Sequence, residues 1–251
     1  MLKNIQRPVK KAMSHGIEHP RREFLLQALS MGLLAAPVFR VSPTHALGDI
    51  AKKLPPGRSI YKLKGLVRVD GQRADINTQI SANSLVETGD SSRIIFVVGT
   101  DAFILRKNSE LQLNGEGLLI QGMRMLSGKL LSVFGERAKP HQIKTRSATI
   151  GIRGTGIYLE SDAERSYVCS CYGHTFISAN SDPDANVEVM ASYHDAPYYI
   201  YANSAPNSKL IRPAPVINHT DSELELIEQL VGRTTPFETT YFSSGEGGGG
   251  Y

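Results

Sequence analysis

Residues 85–113, with the sequence LVETGDSSRIIFVVGTDAFILRKNSELQL, decide the fold class of this chain. Apolar runs rich in β-branched and aromatic residues occupy positions 94–98 and 102–105, and a shorter alternating run covers 111–113. Clusters of Gly, Asp and Thr stand before the first of these runs, at 88–90, and between the first two, at 99–101. Such clusters end strands and form tight turns. The stretch therefore predicts consecutive short β-strands.

The same rhythm continues on both sides of this stretch, from Ser59 to about Ala179. Upstream, an apolar pair ends at the Asp70-Gly71 turn, and downstream the runs 118–120 and 129–134 stop at Gly122 and Gly135. Strands about ten residues apart are typical of a β-sandwich, barrel or solenoid. Alternation is only partial, so several strands should be covered on both faces. We predict a mainly β domain over 59–179, either a β-sandwich or a β-solenoid of short strands.

A C-terminal extension is predicted over 187–237, with a pair of strands followed by one short α-helix. Thr220 is a plausible N-cap because Glu223 stands three residues later, which is the capping-box spacing. Gly232 is expected to end the helix. The Gly-rich tail 243–251 is expected to be disordered.

The first 46 residues have the parts of an export signal. Basic residues precede Arg21-Arg22-Glu23-Phe24-Leu25, an apolar run extends to Phe39, and small residues stand at Thr44 and Ala46. Paired arginines followed by Phe-Leu favour the twin-arginine route. The apolar run is shorter than the roughly 20 residues that cross a bilayer. We therefore expect a twin-arginine signal peptide over 1–46 and a periplasmic protein, in preference to a membrane anchor or a cytoplasmic amphipathic helix.

Removing this segment changes the charge of the chain. Residues 1–46 hold seven of the 28 basic and two of the 24 acidic side chains, which leaves 21 against 22 and a net charge of −1. The sequence pI of about 9.0 is therefore no sign of binding to nucleic acid or to an anionic membrane. The mature chain has no other run apolar enough to span a membrane.

Several spaced motifs, in order along 59–160, give the chain a family resemblance. They are Gly65, Val67, Thr88-Gly89-Asp90, Asp101, Ser109, Leu111, Gly128, Thr145 and Ile152-Arg153-Gly154-Thr155. In these positions the region resembles the FecR domain, the β-rich periplasmic part of bacterial envelope proteins that relay siderophore status to a sigma factor. The resemblance implies the fold and an envelope setting. Fold alone does not settle function.

The resemblance does not extend to the N-terminus. FecR proteins carry a cytoplasmic anti-sigma segment and one transmembrane helix, whereas this chain has an export signal in that place. We therefore expect no direct contact with a sigma factor. An envelope protein or a glycan is the partner class that remains.

Three glycines interrupt a strand pattern at 151–157. Glycine within a strand marks a bulge or a close approach of two backbones. We predict a structural corner here in preference to a ligand contact. No phosphate loop is indicated, because no Lys-Ser/Thr pair follows.

Cys169 and Cys171 are the two cysteines of the chain. Strand residues two apart share a face, so both sulfurs should point the same way. A disulfide between them would be strained, since the Cβ atoms stand farther apart than a disulfide prefers. A metal site, a labile redox pair, an intermolecular link and inert buried thiols all remain open.

The metal hypothesis names five candidate ligands. Cys169, Cys171 and His174 form a C-x-C-x-x-H cluster, and His194 and His219 could complete it if the C-terminal segment folds back. Thiolate and imidazole ligands suit zinc, copper or iron. Their neighbours have simpler roles: Thr220 or Asp221 should cap the helix, and His141, which follows Pro140, is expected at the surface.

Enzyme signatures are weak throughout. The chain has neither a G-x-S-x-G nor an H-E-x-x-H motif, and its basic stretches carry few aromatic residues for a nucleic-acid platform. The sequence predicts a non-enzymatic binding or sensing protein with a metal held by the Cys/His cluster. The alternatives are an envelope scaffold that binds a polysaccharide, peptidoglycan or a partner protein with its cysteines oxidised, and a thiol redox protein.

Overall fold

The protein is described by a computed structural model that covers residues 52–137, 140–203, 205 and 207–237. The predicted signal peptide over 1–46 and the predicted disordered tail over 243–251 lie outside the described residues. Both stay predictions.

Fourteen strands and one helix follow each other along the described chain. The first seven strands are β1 Ile60–Lys64, β2 Val67–Val69, β3 Gln72–Arg73, β4 Leu85–Thr88, β5 Arg93–Val98, β6 Asp101–Leu105 and β7 Ser109–Glu116. The others are β8 Leu119–Val133, β9 His141–Lys144, β10 Ala148–Ser161, β11 Arg165–Ala179, β12 Asp182–Ala191, β13 Tyr198–Tyr201 and β14 Ile211–Pro213, and the helix is α1 Asp221–Leu230. The predicted mainly β fold with one short C-terminal helix is confirmed.

Three long strands, β8, β10 and β11, organise the sheet because each changes partner along its length. The first part of β8 pairs with β7 and β9, and its last part lies between β6 and β10. β11 pairs first with β13 and then with β12. The pairings are antiparallel except that of β8 with β9. All fourteen strands therefore belong to one branched sheet.

Glycine has two different effects in these long strands. The predicted stop at Gly122 is wrong, because β8 runs through this residue and pairs on both sides of it. The predicted corner near Gly154 is confirmed, since the register with β11 shifts between Arg153 and Gly156. Gly173 lies opposite with a φ of 89°, and a Cβ there would come within 2.9 Å of the Thr155 Cα. Close backbone approach at this bulge requires glycine.

The central strands of the sheet are covered on both faces, as the partial alternation of apolar residues in the sequence predicted. All five residues of β6 are buried. One face of the sheet lies on the main core, and the other is covered by α1 through Leu224, Ile227 and Leu230. The predicted extension over 187–237 thus contributes the second half of β12, which begins at Asp182, together with β13 and β14, to the same sheet. Its helix packs across the strands of the first region. In the described part of the chain, no helix has the length and apolarity of a membrane span.

His141 corrects a prediction: this residue is not at the surface but is 4% exposed. It opens β9, a strand that is paired on both sides, and its ring lies edge-on to Phe134 with 4.8 Å between ring centroids. Pro140 predicted a turn at the surface, but the residue that follows it already belongs to a paired, buried strand. Burial, and then the charge of Arg137, lower the pKa of His141 to about 4.

The N-terminus of α1 confirms the predicted capping box. The Thr220 hydroxyl accepts a hydrogen bond from the Glu223 amide, and the Glu223 carboxylate accepts one from the Thr220 amide. We expect Thr220→Ala to lower the free energy of unfolding by about 1 kcal/mol, measured by urea denaturation of the metal-free protein. Thr220→Ser should retain the cap. Equal losses in the two variants would contradict the capping role.

Candidate metal centre

Cys169 and Cys171 lie on the face of β11 that α1 covers. Both side chains are fully buried, and both are free thiols. The Cys171 thiol lies 3.8 Å from the carbonyl oxygen of Cys169. As the strand period requires, the two sulfurs share one side of the sheet. Apolar side chains of the helix and of β6 and β8 surround them.

His194 reaches the sulfurs from the loop between β12 and β13. Its backbone amide donates a hydrogen bond of 2.8 Å to the carbonyl of Cys171, and its φ of 47° is a left-handed conformation that histidine adopts more readily than most residues. The Asp195 carboxylate fixes the loop by accepting hydrogen bonds from Ser192 and Tyr193. Nδ1 of His194 then lies 3.9 Å from Sγ of Cys169.

His219 lies on the connector between β14 and α1. Its ring stacks on Tyr158 with 4.6 Å between centroids. The Tyr167 hydroxyl holds this connector, since it donates to the carbonyl of Pro215 and accepts from the amide of Ile217. Nε2 of His219 lies 3.0 Å from Nδ1 of His194. Three separate segments therefore meet at one point.

The four potential ligand atoms of Cys169, Cys171, His194 and His219 all lie within 4.8 Å of one another. Zn–S bonds of about 2.3 Å and Zn–N bonds of about 2.0–2.1 Å give a tetrahedron with N–N edges of about 3.3 Å and N–S edges of about 3.6 Å. The measured N–N separation is 3.0 Å and one N–S separation is 3.9 Å. Shifts of a few tenths of an ångström would bring these two edges to those of a tetrahedral site.

The outer hydrogen bonds fix which nitrogen of each ring carries a proton. Nδ1 of His219 faces the carbonyl oxygen of Ile217 at 2.6 Å, and Nε2 of His194 faces the Asp221 carboxylate at 2.8 Å. Both partners only accept, so these nitrogens carry the protons. In the neutral rings, the two inner nitrogens then point lone pairs at each other. A cation or a shared proton between them removes this repulsion.

The same arrangement shifts the pKa values of the two thiols in opposite directions. The hydrogen bond from Cys171, assisted by His194 and His219 and opposed by burial, lowers the pKa of Cys169 to about 4. Burial, with the neighbouring Cys169 sulfur, raises the pKa of Cys171 well above its ordinary value. Burial lowers the pKa of His194, but its contacts with Cys169 and Asp221 outweigh this and raise it. These contacts therefore favour the thiolate of Cys169 and the protonated form of His194 in the metal-free protein.

We expect the ultraviolet absorbance of one thiolate in the reduced, metal-free protein at neutral pH. It should disappear as the pH falls through about 4, because Cys169 is then protonated. Cys169→Ala should lack this step, and in Cys171→Ala the step should move to higher pH, because the hydrogen bond from Cys171 that lowers the pKa of Cys169 is lost. Absorbance that appears only near the ordinary thiol pKa of about 8.5 would contradict the assignment.

The structure brings together four of the five predicted ligands and leaves His174 apart. Nε2 of His174 pairs with the Glu188 carboxylate at 2.6 Å. It lies beyond a register shift in the pairing of β10 with β11, at which the adjacent residues Cys171 and Tyr172 both face α1. His174 is in the part of β11 that pairs with β12, the strand that carries Glu188.

Some residues that complete the site gave no ligand signal in the sequence. Thr220 or Asp221 was expected to cap the helix, and Thr220 has that role. Asp221 instead orients His194 and accepts a hydrogen bond from the Tyr193 hydroxyl. Phe237 packs against His194. In the sequence, only the proximity of His219 and Asp221 at the predicted start of a helix suggested that Asp221 belongs to the site.

Comparisons with known proteins supply no family for the chain. No family model matches it, and no curated protein matches it by sequence. Two crystal structures of a "putative anti-sigma factor" from Parabacteroides distasonis have a similar backbone, with a TM-score of 0.42 and sequence identities of 11% and 10%. The alignments cover 52% of this chain and 58% of those chains, so the chain spans little more than half of their length.

Proposed function

We propose that this protein is an exported, FecR-like binding module that holds one thiophilic metal ion between Cys169, Cys171, His194 and His219. One observation carries the metal part: the two inner imidazole nitrogens lie 3.0 Å apart, and each ring has its outer proton committed to an acceptor. A carboxylate or carbonyl behind a ligating histidine is the usual second layer of a metal site. Asp221 and the carbonyl of Ile217 occupy these places.

The ligand set favours zinc, or copper in its reduced state. Two thiolates and two imidazoles in a tetrahedral arrangement suit ions of this softness, whereas calcium and magnesium prefer oxygen ligands. Four protein ligands leave no position for a substrate or water, which is typical of structural zinc sites. The proposed role of the ion is therefore to clamp the connector and helix onto β11, and this supports a binding function over an enzymatic one.

Export and the FecR relationship belong to the same proposal and are supported by the sequence. Arg21-Arg22 before Phe-Leu favours the twin-arginine route, and the ordered motifs over 59–160 support a FecR-like domain. Export in the folded state would let the ion be inserted while the thiols are still reduced. For an exported module of this kind, we propose an envelope protein or a glycan as the interacting molecule.

The metal proposal is tested by elemental analysis of protein purified under reducing conditions and reconstituted with zinc. We expect one zinc per chain in the wild type and in His174→Ala, and a loss of stoichiometric zinc in His219→Ala. His174 is the matched control because it is a histidine near the cysteines in sequence but outside the cluster. Zinc-free wild-type protein after reconstitution, or zinc-loaded His219→Ala, would refute the site. A two-hydrogen mass loss in the peptide 165–179 of native protein would instead support the oxidised scaffold.

The export proposal is tested by cell fractionation. The wild-type chain should appear in the periplasm as a shortened form, and the double variant Arg21→Lys, Arg22→Lys should accumulate uncleaved in the cytoplasm. Periplasmic recovery of both forms at equal levels would contradict twin-arginine export without affecting the metal result.

A further inference from the structure

A second polar site lies on the outer face of β8 and β9. There the sheet forms a pocket of about 390 Å³, within the range of about 300–1,000 Å³ that is usual for small-ligand sites. Among the described residues, none that lines the pocket is acidic. It shares no residue with the metal cluster.

The register of three neighbouring strands explains the shape of this pocket. Gly122 pairs with Asn114 on one side and with Gln142 on the other. Partners directly across a sheet project from the same face, so two amide side chains flank a position that has no side chain. Gly122 therefore leaves the floor of the pocket open between Asn114 and Gln142.

One step along the same strands, two cations stand directly opposite each other. Arg124 pairs in register with Lys144, and both side chains are exposed and line the pocket. Over the described residues, no carboxylate forms an ion pair with either of them. Like charges at directly opposed positions destabilise a sheet. An anion bound between them would relieve this repulsion.

We propose that this pocket binds the oxyanion of a small hydroxylated ligand, a sugar carrying a carboxylate or a phosphate. The oxyanion lies between Arg124 and Lys144, and the hydroxyl groups meet the amides of Asn114 and Gln142. Guanidinium and ammonium groups are the usual partners of both oxyanions, so the two sources share one chemistry. The proposal does not depend on the metal site.

Calorimetric titration of the zinc-reconstituted chain tests this proposal with three probes: glucuronate, glucose 6-phosphate and glucose. At least one of the two charged sugars should bind, and glucose should not. The charged sugar that binds with the higher affinity shows whether the site prefers a carboxylate or a phosphate. Arg124→Gln and Lys144→Gln should each weaken this binding by about tenfold or more. Arg73→Gln and Lys62→Gln, on β3 and β1, are the matched controls and should bind as the wild type does.

Thermal unfolding shows whether a variant with weaker sugar binding is still as stably folded as the wild type. Because each of the two pocket variants removes one of two opposed like charges, its melting temperature without ligand should equal or exceed that of the wild type. No binding of either charged sugar, equal binding of glucose, or unchanged affinity in both pocket variants would overturn the proposal.

Discussion

Replacing Cys169 with serine is expected to abolish most of the stability that zinc confers on this protein. A ligand that binds only the folded chain raises the free energy of unfolding by about 2.7 kcal/mol when its free concentration is 100 times its dissociation constant. The wild type should gain about this amount in zinc-buffered solution. A serine hydroxyl cannot replace the thiolate as a zinc ligand, so Cys169→Ser should gain far less.

The measurement is urea denaturation of both proteins with and without buffered zinc under reducing conditions. His174→Ala serves as the control and should gain as much as the wild type, because His174 pairs with Glu188 outside the cluster. The free energies of unfolding without zinc give the effect that each substitution has independently of the ion. An equal zinc-dependent gain in Cys169→Ser and in the wild type would show that the ion binds elsewhere.

The largest metal-independent effect is expected from Arg137→Ala. The guanidinium of Arg137 pairs with the carboxylate of Asp101, whose side chain is fully buried, and the amide of Gly135 also donates to this carboxylate at 3.1 Å. Removing one partner of a buried ion pair costs about 3–5 kcal/mol, because the remaining charge is left uncompensated. Urea denaturation should show a loss of this size, whereas Arg73→Ala, at an exposed position of β3, should lose almost nothing.

The loss in Arg137→Ala should also depend on pH. Burial raises the pKa of Asp101 even with Arg137 and Gly135 beside it, and without the guanidinium the pKa of Asp101 should rise further. The folded variant then binds more protons than the unfolded chain above the ordinary carboxyl pKa of about 3.9, so its stability falls as the pH rises. The deficit relative to the wild type should be smallest near pH 4 and largest at neutral pH. A deficit independent of pH would contradict the ion pair.

The sequence predicted the fold class well but not the length of the strands. Turn signals at Thr88-Gly89-Asp90 and Gly99-Thr100-Asp101 mark true strand ends, because chain reversal at these points needs small or turn-forming residues. Gly122 looked the same, yet it lies inside β8, where its neighbours Asn114 and Gln142 pair with it from both sides. Whether a glycine ends a strand depends on partners that are distant in sequence, and one sequence does not reveal these.

The candidate site could be predicted only in part, because some of its contacts also depend on residues that are distant in sequence. Cys169 and Cys171 share a face through the local period of the strand. The exclusion of His174 could not be predicted, because the register of β11 shifts between Ser170 and Tyr172 and the alternation does not continue unbroken to His174. The approach of His194 and His219 depends on how the connector folds back across β11. Their hydrogen bonds to Asp221 and Ile217 could not be inferred without the fold.

The most direct test of the metal centre is X-ray absorption spectroscopy at the zinc edge of the reconstituted protein. The ligand set proposed above predicts two sulfur neighbours at about 2.3 Å and two nitrogen neighbours at about 2.0–2.1 Å. Cys171→Ser should retain at most one sulfur neighbour. A spectrum of the wild type without a sulfur shell, or with only light-atom ligands, would contradict a zinc ion held by Cys169, Cys171, His194 and His219.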